Sequence, residues 1–197
     1  MKILLLAFAL SSGAVFAQAM SGFTPSVVSE ATLQTLQKSM KKGYKPKSQC
    51  FNRAHYWTYQ LDTKKDVKAM KVFMFFRKEF MNIDGFDWWF HVAPAVMVEG
   101  SDEPQMLDLY LWNGPVPLNF WMEHFLRMGG STQSSCKKIE KYSDYTENRF
   151  NAHCYILFTA PQYLEPTELE ELEKGNPKAP EWDESEVYSA KKQAFWF

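Results

Sequence analysis

The most informative part of the chain reads Ser48-Gln49-Cys50-Phe51-Asn52-Arg53-Ala54-His55-Tyr56-Trp57. Ser48 or Gln49 begins a predicted helix that runs to about Leu61, which places Cys50 in the first helical turn. The unpaired amides and the positive dipole end of a helix favour a thiolate, and the same amides can hold an oxyanion. Cys50 is therefore a candidate nucleophile, and the alternative is a buried, inert thiol.

Two later residues supply the partners that a thiol nucleophile needs. His91 lies in a predicted strand over 88–98, and Asp108 lies in an apolar predicted strand over 106–112. The histidine could take the thiol proton and return it to a leaving amine. The aspartate could fix the tautomer of that imidazole. The alternatives are a structural core histidine and a solvent-facing aspartate.

The remaining histidines and the common ligand motifs do not suggest a second site. His55 points away from Cys50 on the predicted helix, so we interpret it as structural. His124 lies on a predicted amphipathic helix and His153 precedes a cysteine. The sequence contains no HExxH motif, no CxxC motif and no glycine-rich phosphate loop. We therefore expect neither a metal nor a cofactor.

Arg53 lies one helical turn after Cys50 and shares its helix face. Its guanidinium could pair with a buried carboxylate or with a carbonyl at the end of a strand. We therefore expect structural support from Arg53 rather than a part in the chemistry.

The first residues predict an exported protein. Lys2 gives a positive start, residues 3–10 form an apolar run too short to span a membrane, and residues 15–17 suit a signal peptidase. We expect a signal peptide over 1–17, with a possible cut after Ala19. The mature protein is then secreted or periplasmic, with no membrane insertion after the signal is removed.

The chain that remains has the size of one domain. We expect a single catalytic domain over 20–175 and a partly ordered tail over 176–197. Loss of Lys2 with the signal leaves a net charge of about −2, which argues against a nucleic-acid partner.

Three cysteines are an odd number for an exported protein. Cys136 and Cys154 flank a polar stretch and could close a short loop with a disulfide. Cys50 would then be the free thiol.

The order of the predicted elements is that of an α+β protein. Helices come first, followed by a mostly antiparallel sheet with helical interruptions. The predicted helices cover 26–40, 48–61, 118–128 and 166–174, and the predicted strands cover 67–76, 88–98, 106–112 and 154–159, with a further strand near Ile139 in the polar region 131–151.

Three motifs together resemble the bacterial protein-glutaminase (protein-glutamine deamidase) family. They are Cys-x-x-Arg-Ala-His-x-Trp at 50–57, His-Val-Ala-Pro at 91–94 and Leu-Asp at 107–108, and a later helix that carries Trp121 also fits. The resemblance covers about residues 44–128. It implies a papain- or transglutaminase-like fold, in which N-terminal helices including the nucleophile helix pack on the sheet. The family commonly has proline after the aspartate, where this chain has Leu109.

The resemblance implies a Cys–His–Asp triad that converts glutamine side chains of proteins to glutamate and releases ammonia. Carried over by position, Cys50 is the nucleophile, His91 the general base and acid, and Asp108 the orienting carboxylate. The substrate would be a protein or peptide that bears glutamine. Residues 20–49 are too few for a separate pro-domain, so we expect none.

Three alternatives remain open at this point. A cysteine peptidase or a transglutaminase-like acyltransferase would use the same acyl-enzyme chemistry. A non-enzymatic binding domain would use exposed aromatic residues and leave Cys50 inert. The oligomeric state is not indicated by the sequence. Five tryptophans could line a cleft, although we expect most of them in the core. They are Trp57, Trp88, Trp89, Trp112 and Trp121.

Overall fold

The computed structural model describes residues 18–77, 88–148 and 151–196. The predicted signal peptide over 1–17 lies outside this part of the chain. The helices are α1 Glu30–Ser39, α2 Cys50–Lys65, α3 Leu118–Met128, α4 Tyr142–Asn148, α5 Pro166–Glu173 and α6 Glu184–Ala194. The strands are β1 Val27–Val28, β2 Met70–Phe76, β3 Phe90–Val98, β4 Gln105–Met106, β5 Val116–Pro117, β6 Lys137–Lys138 and β7 Cys154–Thr159.

The described strands form one sheet in the order β5-β4-β3-β2-β7-β6, and β1 pairs with β3 off this path. β2 lies between β3 and β7 and is antiparallel to both. Among the described strands, only the short β1–β3 and β6–β7 pairs are parallel. The predicted α+β class, with the nucleophile helix and a mostly antiparallel sheet, is confirmed.

The central strand β2 has apolar cores on both of its faces. Val72 and Met74 belong to the cluster that contains Trp121 of α3, whereas Phe73 and Phe75 belong to a second cluster on the other side. Alternate residues of a strand point to opposite faces, so a strand buried on both sides needs a continuous apolar run. This explains why residues 70–76 are almost uniformly hydrophobic.

The disulfide predicted from cysteine spacing is present. Cys136 and Cys154 are bonded across a sequence separation of 18 residues, and the bond joins the segment before β6 to the first residue of β7. Cys50 is the free cysteine of the described chain. The prediction of one bridge and one free thiol is therefore confirmed.

The predicted strand over 106–112 is wrong beyond its first residue. β4 ends at Met106, and the carbonyl of Asp108 accepts hydrogen bonds from the amides of Leu111 and Trp112, as in a turn. The carboxylate of Asp108 also accepts a hydrogen bond from the Tyr110 amide. Aspartate stabilises such turns by bonding its own backbone two residues on, and this local bond replaces the strand ladder.

Two segments contain more order than the sequence predicts. The polar region 131–151 includes α4, and the segment 176–197 includes α6, which begins at the N-cap Asp183. α6 packs against α2. Phe195 follows it and is only 1% exposed. The buried residues of α6 are Val187, Ala190 and Ala194, a small apolar face that gives only a weak amphipathic pattern.

Candidate active site

Cys50 is the first residue of α2, at the place where the sequence predicts the nucleophile. The N-cap residue is Gln49 rather than Ser48, and its side chain makes no capping hydrogen bond. The first amides of α2 therefore have no side-chain acceptor from the cap residue. A helix start in this state presents hydrogen-bond donors and a positive dipole end beside the thiol.

His91 is the second residue of β3 and is 1% exposed. Its Nε2–H donates to Oδ2 of Asp108 at 2.7 Å. The ring lies between aromatic side chains, nearly parallel to Trp88 at 5.5 Å and tilted against Phe125 at 4.9 Å. The carboxylate and these rings fix both the tautomer and the orientation of the imidazole.

Asp108 is 2% exposed and accepts hydrogen bonds at both carboxylate oxygens. The indole N–H of Trp121 donates to Oδ2 at 3.0 Å, beside the bond from His91. The backbone N–H of Tyr110 donates to Oδ1 at 3.3 Å. A buried carboxylate is tolerated when its lone pairs are satisfied in this way.

The buried pair of His91 and Asp108 has strongly shifted proton affinities. Burial lowers the pKa of His91, but the charge and hydrogen bond of Asp108, with a smaller contribution from Cys50, raise that pKa to about 9. Burial raises the pKa of Asp108, but His91, Trp121 and Arg53 hold it below its usual value. At neutral pH the pair is therefore an imidazolium and a carboxylate.

The Cys50 thiol is the group on the other side of the imidazole. It interacts with His91 strongly enough to raise the pKa of that histidine. Nδ1 of His91 nevertheless lacks a partner with good hydrogen-bond geometry in the described chain. Both observations fit a thiol that lies near Nδ1 without being aligned to it, as catalytic hydrogen bonds often do before substrate binds. Asp108 occupies Nε2, so Nδ1 is the atom left for proton exchange with Cys50.

Arg53 contacts both the segment before Cys50 and the turn after Asp108. Its Nη1 donates to the backbone carbonyl of Ser48 and, at 2.9 Å, to the Ser48 hydroxyl. Its guanidinium also lies 4.0 Å from the ring centroid of Tyr110. The expected partner was a buried carboxylate or a carbonyl at the end of a strand, whereas the carbonyl that Arg53 bonds belongs to Ser48, just before α2. Arg53 thereby holds the segment before Cys50 against the turn after Asp108.

A cleft of about 500 Å³ opens above Cys50. Trp88 and Trp89 contribute to it, whereas Trp57 and Trp121 are buried in the core. The described lining is mostly aromatic and otherwise polar or cationic, and it consists of Lys47, Ser48, Gln49, Cys50, Phe51, Arg53, Trp88, Trp89, Phe90 and Tyr110.

Three residues with roles in this geometry were not singled out as such from the sequence. The Trp121 indole donates a hydrogen bond to Asp108. The backbone amide of Tyr110 donates to Asp108, and the Tyr110 ring contacts the guanidinium of Arg53. Lys47 lies at the cleft. A signal existed for Tyr110, because an aspartate two residues before an amide donor is typical of a turn. The Trp121 bond depends on how α3 packs against the sheet, which local sequence does not encode.

The other histidines lie apart from this arrangement. Nδ1 of His55 is 2.8 Å from the Lys71 ammonium, and its Nε2 is 3.2 Å from Glu186. Burial and Lys71 lower the pKa of His55, so it is a neutral structural residue, as predicted. His124 is half-buried and packs against Trp112. Within the described ranges, no cluster of histidine, cysteine or carboxylate side chains could hold a metal ion.

The chain is similar to known proteins both in sequence and in fold. The family model described as glutaminase matches residues 24–125. The NMR structure of protein-glutaminase from Chryseobacterium proteolyticum is similar with a TM-score of 0.50 and 18% identity, over 83% of this chain and 84% of that one. A crystal structure of protein-glutaminase has the same TM-score and identity, over 85% of this chain and 86% of that one. No curated protein matches the chain.

At 18% identity the two solved structures show a shared fold, which is papain- or transglutaminase-like. The fold that the three motifs implied is thereby confirmed. The family model covers just over half of the 197 residues and includes the positions of Cys50, His91 and Asp108. On this match the chain belongs to the glutaminase family, hydrolases that remove the side-chain amide of glutamine.

Proposed function

We propose that the protein deamidates glutamine side chains of proteins and peptides, with Cys50 as nucleophile, His91 as general base and acid, and Asp108 as the orienting carboxylate. The observation that carries the proposal is the buried His91–Asp108 hydrogen bond of 2.7 Å below a free thiol at a helix N-terminus. Asp108 occupies Nε2 of His91, and Nδ1 has no other well-aligned partner in the described chain, which supports its use for proton exchange with Cys50.

The first half of the reaction makes a thioester. The Cys50 sulfur attacks the carboxamide carbon, and the carbonyl oxygen takes up negative charge near the first amides of α2. The C–N bond then breaks, and His91 gives its Nδ1 proton to the nitrogen, so that ammonia leaves. The imidazolium required for this step is the form that Asp108 stabilises.

The second half releases glutamate. Neutral His91 takes a proton from a water molecule, and the resulting hydroxide attacks the thioester carbon. The carbon–sulfur bond breaks, and Cys50 returns to a thiolate beside the imidazolium. The net change is one water consumed and one ammonia released for each glutamine, with the polypeptide chain left intact.

The lining of the cleft favours glutamine within a polypeptide over free glutamine. Free glutamine carries an α-ammonium group, which proteins usually bind with a carboxylate. The described lining contains no carboxylate, and it offers aromatic surfaces of Trp88, Trp89 and Phe90 that suit the apolar stem of a side chain and the backbone around it.

The test measures ammonia release and the intact mass of an unfolded protein substrate, for the wild-type protein and for Cys50→Ala. We expect ammonia, an uncut substrate whose mass rises with each amide converted, and no reaction in the variant. Free glutamine at equal concentration should react far more slowly. Fragments of the substrate would instead identify a peptidase, and a substrate that incorporates added amine would identify an acyltransferase.

The proposal includes export with cleavage of the signal after Ala17. Ala19 is 3% exposed, and its carbonyl accepts a hydrogen bond of 2.7 Å from the Ala160 amide. A cut after Ala19 would remove this contact, which supports the earlier site. In the described chain, no helix has both the length and the hydrophobicity to cross a membrane. Mass analysis of the protein from the medium or periplasm tests the cleavage site.

A further inference from the structure

Lys47 lies at the cleft in a backbone conformation that lysine rarely adopts. Its φ is 62°, in the left-handed region, where glycine or asparagine is the usual residue. The side chain is exposed, lines the cleft, and forms no ion pair with any described residue. Unusual backbone conformations of this kind cluster at functional sites, where the surrounding structure maintains them.

The other charged groups near Cys50 are buried. His91 donates to the Asp108 carboxylate, and Arg53 is 1% exposed with its guanidinium against the Tyr110 ring. Lys47 is then the exposed charged side chain among the described lining residues.

We propose that Lys47 selects glutamines with acidic neighbours in the substrate chain and disfavours those flanked by lysine or arginine. The inference rests on the proposed deamidation of polypeptide glutamine. A glutamine side chain that reaches Cys50 brings its flanking residues to the rim of the cleft, where Lys47 lies. A neighbouring carboxylate gains an ion pair there, and a neighbouring ammonium is repelled.

The expected size of the effect follows from the size of the cleft. A volume of about 500 Å³ corresponds to a width of about 8 Å. One pair of unit charges at that distance, screened as in water, changes an equilibrium roughly twofold to threefold. Exchanging a glutamate neighbour for lysine changes the sign of the interaction, so kcat/KM should differ roughly fivefold at low salt. High salt should remove most of this difference.

The experiment compares three blocked peptides that carry one glutamine flanked by glutamate, by alanine or by lysine. Wild-type protein, Lys47→Gln and Lys47→Glu are assayed at low and high salt. We expect the glutamate peptide to be preferred by the wild type, no preference in Lys47→Gln, and reversal in Lys47→Glu. Lys64→Gln is the matched control, because it removes the same charge from the far end of α2, about 20 Å from Cys50.

The alanine peptide separates this inference from the proposed function. If neither the wild-type protein nor any variant releases ammonia from any of the three peptides, the proposed deamidation itself is refuted. If the alanine peptide reacts and the wild type treats the charged peptides alike, the role of Lys47 is refuted. A preference that persists in Lys47→Gln would also overturn it. Thermal unfolding of each variant identifies any loss of activity that comes from misfolding.

Discussion

Replacing Asp108 by asparagine tests the orientation of the imidazole. Oδ2 of Asp108 accepts from both His91 and Trp121, and Oδ1 accepts from the Tyr110 amide. An amide can place its oxygen on one side only. With NH₂ toward His91, it forces the imidazole proton onto Nδ1, and the ring can no longer accept a proton from Cys50. With NH₂ toward Tyr110, the side-chain amide and the backbone amide of Tyr110 are two donors that face each other. The negative charge of Asp108 is lost in either orientation.

The size of the effect follows from the shifted pKa of His91. Asp108 is the principal group that raises this pKa from 6.5 to about 9 against the effect of burial. The difference between these two values is worth about 3 kcal/mol, or roughly 300-fold in the equilibrium constant for protonation of the imidazole. Above pH 9 the imidazolium population follows this constant, so we expect Asp108→Asn to lower kcat/KM roughly 300-fold there, with a larger loss if the wrong tautomer dominates.

The assay is ammonia release from a blocked glutamine peptide as a function of pH. In the wild type, kcat/KM should fall on the alkaline side near pH 9, where His91 loses its proton. In Asp108→Asn, this alkaline fall of kcat/KM should move to lower pH. Trp121→Phe keeps the charge and removes one donor, so it should cost far less activity. A folded Asp108→Asn protein that keeps activity within tenfold of the wild type above pH 9 would contradict an orienting role for Asp108.

The remaining predictions concern stability and the support of the site. The raised pKa of His91 adds stability that is fully present below pH 6.5, as far as Asp108 stays ionised, and is lost as pH rises through about 9. The free energy of unfolding should therefore fall between pH 6.5 and about 9, as chemical denaturation would show. Replacing Cys136 and Cys154 by serine should cost about 3 kcal/mol, measured by thermal unfolding against the intact protein. Phe195→Ala should cost about 3–5 kcal/mol although the residue lies near the chain end, and a change within 1 kcal/mol would contradict its place in the core. Arg53→Met should lower kcat roughly tenfold to a hundredfold with a smaller change in KM, whereas a pure rise in KM would contradict its positioning role.

Long elements with strong local patterns were predictable from the sequence. The helix over 118–128 and the strand over 154–159 have the predicted ends, because apolar periodicity and flanking glycine or cysteine residues mark them. The strand over 106–112 was not predictable, since Asp108 bonds its own backbone and ends the pairing. α6 was not predictable either, because its stability comes from packing on α2 rather than from its own pattern.

The site was predictable at the level of residue types and less so in its geometry. A cysteine at a helix start, a histidine in an apolar strand and an aspartate among leucines each stood out locally. The Asp108 contacts with Trp121 and Tyr110 depend on the position of α3 and on a turn, so no local pattern shows them. The place of Lys47 at the cleft emerges only when the loop before α2, α2 itself and the turn after β4 come together.

The measurement that tests the central proposal most directly is a reaction with an unfolded protein substrate in heavy-oxygen water that also contains a primary amine. The intact substrate is then weighed and mapped by fragmentation. The account predicts an uncut chain in which each converted glutamine has exchanged its amide for one heavy oxygen, with equimolar ammonia, and no change with Cys50→Ala. Incorporation of the amine, cleavage of the chain, or undiminished conversion by the variant would contradict it.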